Sequence, residues 1–388
     1  MASESRTVDG LERFRRACLI AGIIGLVFCV VGAVFSRQQF FQSYLFAYIF
    51  WLGIALGCLA IVMLHNLSGG AWGVVIRRVL ESGMMTLPLM ALLFVPLLFG
   101  LPRLYEWARP EALADDPLLR HKSAYLNVPF FIIRAAIYFL LWGGAAALLA
   151  RWSGEQERSA DPQIIARQRR VSGPGLVLFG LTITFASIDW LMSLEAHWYS
   201  TIYGVHFLGG HVLAAFAFAI LLAVRLRASN AGAFQQGQLL DLGNLLLAFV
   251  MLWAYFSYSQ WIVIWSGNLP EEISWYLRRN RGGWQWLITA LILFHFFVPF
   301  ALLLVRAFKR RGAVLCAIAA AILFMRLLDI FWYTAPAFHP GSFYLHWMDI
   351  AAPIGLGGIW LAVFFFYLGR RPPLPLSDAY PREALENG

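Results

Sequence analysis

Five ionisable residues lie inside stretches of the sequence that are otherwise apolar: Arg134, Asp189, Arg326, Asp329 and Asp349. An unpaired charge at the centre of a membrane-spanning helix costs about 2.5–3.5 kcal/mol, so such residues are expected to be one another's partners at a common depth. Buried ion pairs of this kind can simply clamp helices together. Alternatively, a carboxylate in apolar surroundings can accept a proton, which predicts a proton exit or a quinol headgroup site.

The spacing of these residues adds two closer relationships. Arg326 and Asp329 are three residues apart, as are His346 and Asp349, and side chains at that spacing meet on one face of a helix. Four of the charged residues lie four or five residues from the predicted outer helix ends, and Arg326 lies one turn deeper. All five are therefore roughly 6–12 Å below the outer boundary. The helices that carry them are therefore predicted to face one another.

Further candidates for proton transfer lie away from this layer. Near the predicted inner helix ends are ionisable residues and one amide: His65, Glu81, Asp241 and Asn244. Between the two levels are Thr182, Thr184, Tyr255 and His295, which with water could form an interrupted hydrogen-bond chain. The alternative for His295 is that it is a packing residue whose ring nitrogens are satisfied locally.

Positioning these residues requires membrane-spanning helices. Composition indicates them, because 60% of the 388 residues are hydrophobic and 13% charged, against about 25% charged in soluble domains. Ten apolar stretches come near the ~20 residues that cross a bilayer. They are residues 18–35, 44–65, 84–101, 129–149, 173–194, 205–226, 242–265, 284–305, 314–333 and 345–368. The sequence thus predicts an all-α membrane domain over 18–368, with cytoplasmic segments at 1–17 and 369–388 and no cleaved signal peptide.

Basic residues predict the orientation. The N-terminus, the even-numbered connections and the C-terminus hold 20 Lys and Arg residues, counting Arg225 at the end of the sixth stretch, whereas the odd-numbered connections hold 8. Because positive loops stay in the cytoplasm, both termini are predicted to be cytoplasmic, which requires an even number of crossings. The same distribution explains the net charge of +9 without nucleic-acid binding. Stretches two to five and six to nine would then share one topology, which predicts two four-helix bundles and two flanking helices.

Cysteine and histidine spacing argues against a redox centre on this chain. The four cysteines are at least ten residues apart, which excludes CxxC, CxxCH and ferredoxin-like patterns. The histidines lack the repeated spacing of paired haem ligands. Any metal centre is therefore predicted to belong to a partner.

Two predicted outer segments, residues 187–204 and 255–276, are rich in polar and aromatic residues. Candidate docking residues within them are Glu195, His197, Asn268, Glu271 and Glu272. Binding a basic patch on a partner is the plain interpretation of these acids, and proton handling is the alternative. Most of the surrounding Trp and Tyr residues are expected to form an interfacial belt.

These two segments, with KSAYLNVPFFIIR at 122–134 and the string Trp265-Ser-Gly-Asn-Leu-Pro-Glu-Glu272, resemble the membrane subunits of bacterial alternative complex III, a quinol:cytochrome c oxidoreductase. The chain is most similar to the ActF-type subunit, within the NrfD-like or polysulfide-reductase-C-like group. That resemblance covers helices two to ten.

The resemblance implies a subunit without redox cofactors in a bacterial cytoplasmic-membrane complex that oxidises menaquinol or ubiquinol. Implied partners are an ActC-type sister membrane subunit, an iron–sulfur subunit of molybdopterin-enzyme type, haem c subunits and a terminal oxidase. It also implies a role in proton passage and leaves open whether quinol binds this chain. Two alternatives remain: a pure scaffold for peripheral subunits, and a secondary transporter, although transporters usually have broken helices at the bilayer midplane.

Overall fold

The computed structural model describes residues 2–159, 161–228 and 236–370, and its regular structure there is entirely helical. Ten of these helices are long and apolar enough to cross a membrane, which confirms the predicted fold class. They are α1 Ala2–Phe35, α2 Arg37–Ser68, α3 Ala71–Leu98, α4 Val128–Arg158, α5 Pro162–Trp190, α6 Tyr203–Ala228, α7 Gln236–Gly267, α8 Trp284–Leu304, α9 Gly312–Phe338 and α10 Met348–Leu368.

Several helices are longer than the apolar stretches that predicted them. The α2 helix begins at Arg37, where Ser36 Oγ accepts the Gln39 backbone N–H as an N-cap. The α3 helix begins at Ala71, well before the predicted start at residue 84, with a break at Met85 and Thr86. Hydropathy ends an apolar stretch at the first charges, but the α3 helix includes charged residues because Arg77 and Arg78 pair with Glu81.

Eight of the ten helices, α2–α5 and α6–α9, form two four-helix bundles, and α1 and α10 flank them. In the first, α2 packs against α3 and α5, and α4 contacts α3 and α5; in the second, α6 packs against α7 and α9, and α8 lies between them. The bundles meet along α2 and α6, and α10 packs on α2. The α1 helix covers α10 where Gly22 and Gly25 face Gly355 and Gly358, so closely that added methyl groups would meet backbone. This is the predicted arrangement.

Alternating helix directions give the protein two ends. One end, the termini face, carries the start of α1 and the end of α10. The other, the loop face, carries the connections 99–127, 191–202, 268–283 and 339–347. Shorter helices lie mainly in these connections: Leu101–Leu104, Pro110–Asp115, Pro117–Lys122 and Pro270–Arg279, with 3-10 turns at Glu106–Ala108 and Met192–Glu195. We call Pro270–Arg279 the cap helix.

The two bundles have different interiors. The core of the first is aromatic, with the Trp190 ring centroid 5.1 Å from that of Phe94, 5.8 Å from Phe139 and 5.9 Å from Trp142. The core of the second contains most of the buried histidines described below. The second bundle therefore holds most of the buried imidazole groups, whereas the first holds the buried Arg134–Asp189 pair.

Candidate functional site

Arg134 and Asp189 form an ion pair between α4 and α5 in the first bundle. Arg134 Nε and Nη2 donate to the two Asp189 oxygens at 2.9 and 2.8 Å, and the Tyr138 hydroxyl donates to Oδ2 at 2.8 Å. The guanidinium also lies 3.9 Å from the centroid of the Tyr125 ring. This predicted pairing is present, and its three donors leave the carboxylate fully occupied.

The second predicted pair, Arg326 and Asp329, lies within α9 and is almost completely buried, at 1% and 2% exposed. Arg326 Nη1 donates to Asp329 Oδ2, and Trp253 Nε1 of α7 donates to the same oxygen at 3.2 Å. Two donors therefore converge on one carboxylate oxygen in the interior of the second bundle.

Three buried histidines surround this pair, and with it they form what we call the polar core: Arg326, Asp329, His206, His211 and His295. His211 Nδ1 lies 3.5 Å from Arg326 Nη2. The edge of the His295 ring packs on Trp253, with centroids 4.3 Å apart. The polar core thus brings residues from α6, α8 and α9 together.

His206 lies one step closer to the loop face. The Tyr333 hydroxyl is 2.6 Å from His206 Nδ1, and the Ser257 hydroxyl is 2.7 Å from Nε2. Ser257 also donates to the Trp253 carbonyl at 2.8 Å, one turn deeper in α7. Hydroxyl and imidazole groups can each accept and donate a proton, so this set can relay protons between the Asp329 level and the loop face.

His295 occupies an unusual helix geometry. Residues Leu291–Phe297 form a π-helical turn, a rare form that is often found at functional sites. Neither ring nitrogen of His295 has a hydrogen-bond partner among the described residues, and the side chain is 0% exposed. A buried polar group in this state is expected to bind water or exchange protons, so the packing interpretation, which required locally satisfied nitrogens, is not supported.

Sequence reasoning missed His206 and His211 as site residues because it tested their spacing only for haem ligation. Residues five apart on a helix point about 140° away from each other. His206 therefore faces Ser257, whereas His211 faces α2 and Arg326. A usable signal was the polar spacing in α7, where Trp253, Ser257 and Gln260 share one face.

Asp349 was wrongly predicted to share the arginine layer. Its Oδ1 accepts from Ser43 Oγ at 2.5 Å and Gln39 Nε2 at 3.3 Å, both in α2, and its Oδ2 accepts the His346 backbone N–H at 2.8 Å. The predicted contact with His346 exists, but through its backbone rather than its ring. Asp349 lies in the first turn of α10, where a carboxylate caps free N–H groups and opposes the helix dipole.

The predicted chain between the two levels does not form a continuous route. Tyr255 is 64% exposed on the outside of the second bundle. Thr182 accepts from Trp142 Nε1 at 2.8 Å in the first bundle, and Thr184 donates to the Gly180 carbonyl of its own helix. His295 is the one member of that set that lies in the polar core.

The candidates near the termini face have different hydrogen-bond partners. His65 Nε2 is 3.0 Å from the Gly70 carbonyl oxygen, and Asp241 is exposed at the start of α7. Glu81 is buried between Arg77 Nε at 2.8 Å and Arg78 Nη1 at 2.7 Å. Asn244 accepts from Lys309 Nζ at 2.6 Å.

On the loop face, the prediction that Glu195 is available for docking a partner is wrong. Glu195 is only 8% exposed, because its oxygens pair with Arg279 at 2.7 Å and Arg278 at 3.0 Å on the cap helix. It fastens the cap helix and is not free to bind a partner. Arg279 also donates to the Trp332 and Tyr333 carbonyls, so the cap helix covers the loop-face end of the second bundle.

The remaining docking candidates differ in exposure. His197 is exposed and its Nε2 lies 2.6 Å from Asp116 Oδ2. Asn268, in a left-handed conformation with φ 47°, and Glu271 are both exposed, whereas Glu272 is half-buried. The exposed acidic surface is therefore smaller than predicted.

Within the described ranges, no cluster of three or more His, Cys, Asp or Glu side chains is arranged to hold a metal ion. Cys18, Cys29, Cys58 and Cys316 are all free thiols. No protein-family model matches the chain, and no curated protein matches it.

Proposed function

We propose that this chain is a cofactor-free membrane subunit of a quinol-oxidising respiratory complex of the alternative complex III type, in the bacterial cytoplasmic membrane. In that complex it supports electron transfer from menaquinol or ubiquinol and carries protons across the second bundle. The motif resemblance and the paired four-helix bundles support the family. The observation that carries the proton role is the buried Arg326–Asp329 pair with three histidines around it.

The chemistry follows from burial. An ionised carboxylate without a partner is costly in a membrane interior. Whenever Arg326 moves away from Asp329, the carboxylate is therefore expected to bind a proton, and when Arg326 returns the proton is expelled. Tyr333, His206 and Ser257 lie next in line toward the loop face and provide the acceptors for it.

Orientation gives this transfer its direction. The distribution of basic residues predicts that the termini face is cytoplasmic and that the loop face lies outside. Cysteine variants at Glu111, exposed on the loop face, and at Arg311, exposed on the termini face, test this. A membrane-impermeant maleimide added to intact cells should label Glu111→Cys alone, and both variants after the cells are broken; the reverse pattern would refute the proposed direction.

The partners in this proposal are an ActC-type sister subunit, an iron–sulfur subunit of molybdopterin-enzyme type, haem c subunits and a terminal oxidase. Exposed Asn268 and Glu271 provide a polar surface for a basic partner beside the cap helix. Affinity purification through a tag on this chain should therefore recover multihaem and iron–sulfur proteins. Isolation of the chain alone would favour a secondary transporter instead.

Proton release tests the role of the polar core. The complex carrying Asp329→Asn, reconstituted in vesicles, should still oxidise quinol but release fewer protons per electron. Asp241→Asn, at an exposed position, is the matched control and should leave the ratio unchanged. An unchanged ratio in Asp329→Asn with intact assembly would favour the scaffold alternative.

A further inference from the structure

The contact between the two bundles is tightest at one histidine. At Gly53 of α2, an added methyl group would overlap the imidazole ring of His211 on α6. At Gly57, one turn further along α2, it would overlap the His211 backbone and Ala215. The His211 ring therefore stands directly against the backbone of the first bundle, with no space between them.

The ring atom of His211 nearest to Gly53 also borders the polar core. That atom, Nδ1, lies 3.5 Å from Arg326 Nη2, and the Phe207 ring packs on the His211 ring with centroids 4.0 Å apart. A methyl group at the neighbouring Gly210 would overlap the Arg326 guanidinium. Arg326 is thus held in a slot formed by the α6 backbone and the His211 ring.

We propose that His211 is a positioning residue that transmits movement of α2 to the Arg326–Asp329 pair. With a guanidinium beside it, Nδ1 acts as an acceptor, so the ring is neutral and carries its proton on Nε2. Packed interiors have little free space, so a shift of α2 against α6 must move this ring. Moving the ring changes the position of Arg326 and hence the contact on which proton binding by Asp329 depends.

This coupling rests on the proposed function, and it adds a route by which events in the first bundle control proton transfer in the second. The direct test is Gly53→Ala, which displaces the His211 ring without removing any ionisable group. In the purified complex it should lower the number of protons released per electron while quinol oxidation continues. Gly83→Ala in α3, whose methyl would meet the Cys58 side chain of α2, is the matched control and should keep the wild-type ratio.

Two substitutions at His211 separate positioning from packing. His211→Gln keeps an acceptor for Arg326 and should retain most of the proton release, whereas His211→Leu fills similar space without an acceptor and should lose it. An unchanged ratio in Gly53→Ala and His211→Leu, where Asp329→Asn lowers it, would overturn the coupling and leave the proposed function standing.

A spectroscopic measurement distinguishes failure of the His211 coupling from failure of the proposed function. Nitrogen-15 histidine spectra of the tagged chain, in whatever assembly it purifies, should contain a His211 signal from an unprotonated Nδ1 acceptor, assigned by its loss in His211→Gln. That signal should shift in Gly53→Ala and stay in place in Gly83→Ala. If the His211 signal is the same in the wild type, Gly53→Ala and Gly83→Ala, the contact between Gly53 and His211 is refuted. This result does not depend on whether Asp329 binds protons.

Discussion

Arg134 holds Asp189 through two parallel N–H···O contacts across α4 and α5, in a site where the carboxylate has no exposed surface. A bidentate pair of this type fixes both distance and rotation between two helices. Because Tyr138 supplies a third donor, the pair has the properties of a clamp and contrasts with the Arg326–Asp329 pair, which sits among histidines.

This contrast predicts a large stability effect for one substitution. Arg134→Leu leaves Asp189 charged and unpaired in the interior, which should destabilise the protein by about 3–5 kcal/mol. Thermal unfolding of the detergent-solubilised protein measures it. The double variant Arg134→Leu with Asp189→Leu removes both charges and should recover most of the loss. A single variant as stable as the wild type would contradict the clamp.

Asp349 should behave differently from Asp329. Asparagine at position 349 keeps one oxygen, which can accept the His346 N–H, and its NH2 group can donate to the Ser43 hydroxyl, so Asp349→Asn should cost only about 1 kcal/mol. Asp349→Ala loses the cap and should cost about 1–2 kcal/mol. Thermal unfolding compares the two, and proton release per electron should stay at the wild-type value in both. A lowered ratio in Asp349→Asn would place that residue on the proton route.

Much of the architecture could be predicted from the sequence because bilayer thickness limits helix length and depth. The sequence predicted that five charges at one depth would be one another's partners, and Arg134 and Asp189, on consecutive helices, do pair. It did not predict that this pair lies in a different bundle from Arg326 and Asp329. The three-residue spacing likewise predicted the contact between Arg326 and Asp329.

The remaining contacts depended on tertiary structure that spacing does not reveal. Asp349 finds Ser43 some three hundred residues earlier, in a segment that hydropathy treated as a connection. Glu195 is buried because Arg278 and Arg279 arrive on the cap helix from a later loop. The direction of His211 depends on the absence of a side chain at Gly53, which no property of His211 itself indicates.

The cap helix gives a third prediction. Glu195→Ala removes the carboxylate opposite the buried Arg279, whose guanidinium keeps only carbonyl partners. The cap helix should become less stable by about 3 kcal/mol, since one partner of a buried pair is lost. Hydrogen exchange of the amides in Pro270–Arg279 should accelerate, while exchange in the first bundle stays unchanged. Glu271→Ala, at an exposed position, should change stability by less than about 0.5 kcal/mol.

The link between the loops 99–127 and 191–202 should depend on pH through Asp116. Burial raises the pKa of Asp116, but the Leu119 and Leu118 backbone N–H groups and the His197 ring outweigh it, so the net pKa is lowered. A depressed carboxyl pKa stabilises the fold above the unfolded value of about 3.9, and this contribution is lost as pH falls through the folded pKa. Exchange protection of the Leu118 and Leu119 amides should therefore persist at neutral pH and be lost in acid, as pH falls below about 3.9 and through the lowered folded pKa. Asp116→Asn should weaken that protection at neutral pH, whereas Asp115→Asn, next to it and exposed, should not. Protection that is independent of pH in the wild type would show that the Asp116 charge does not hold these loops.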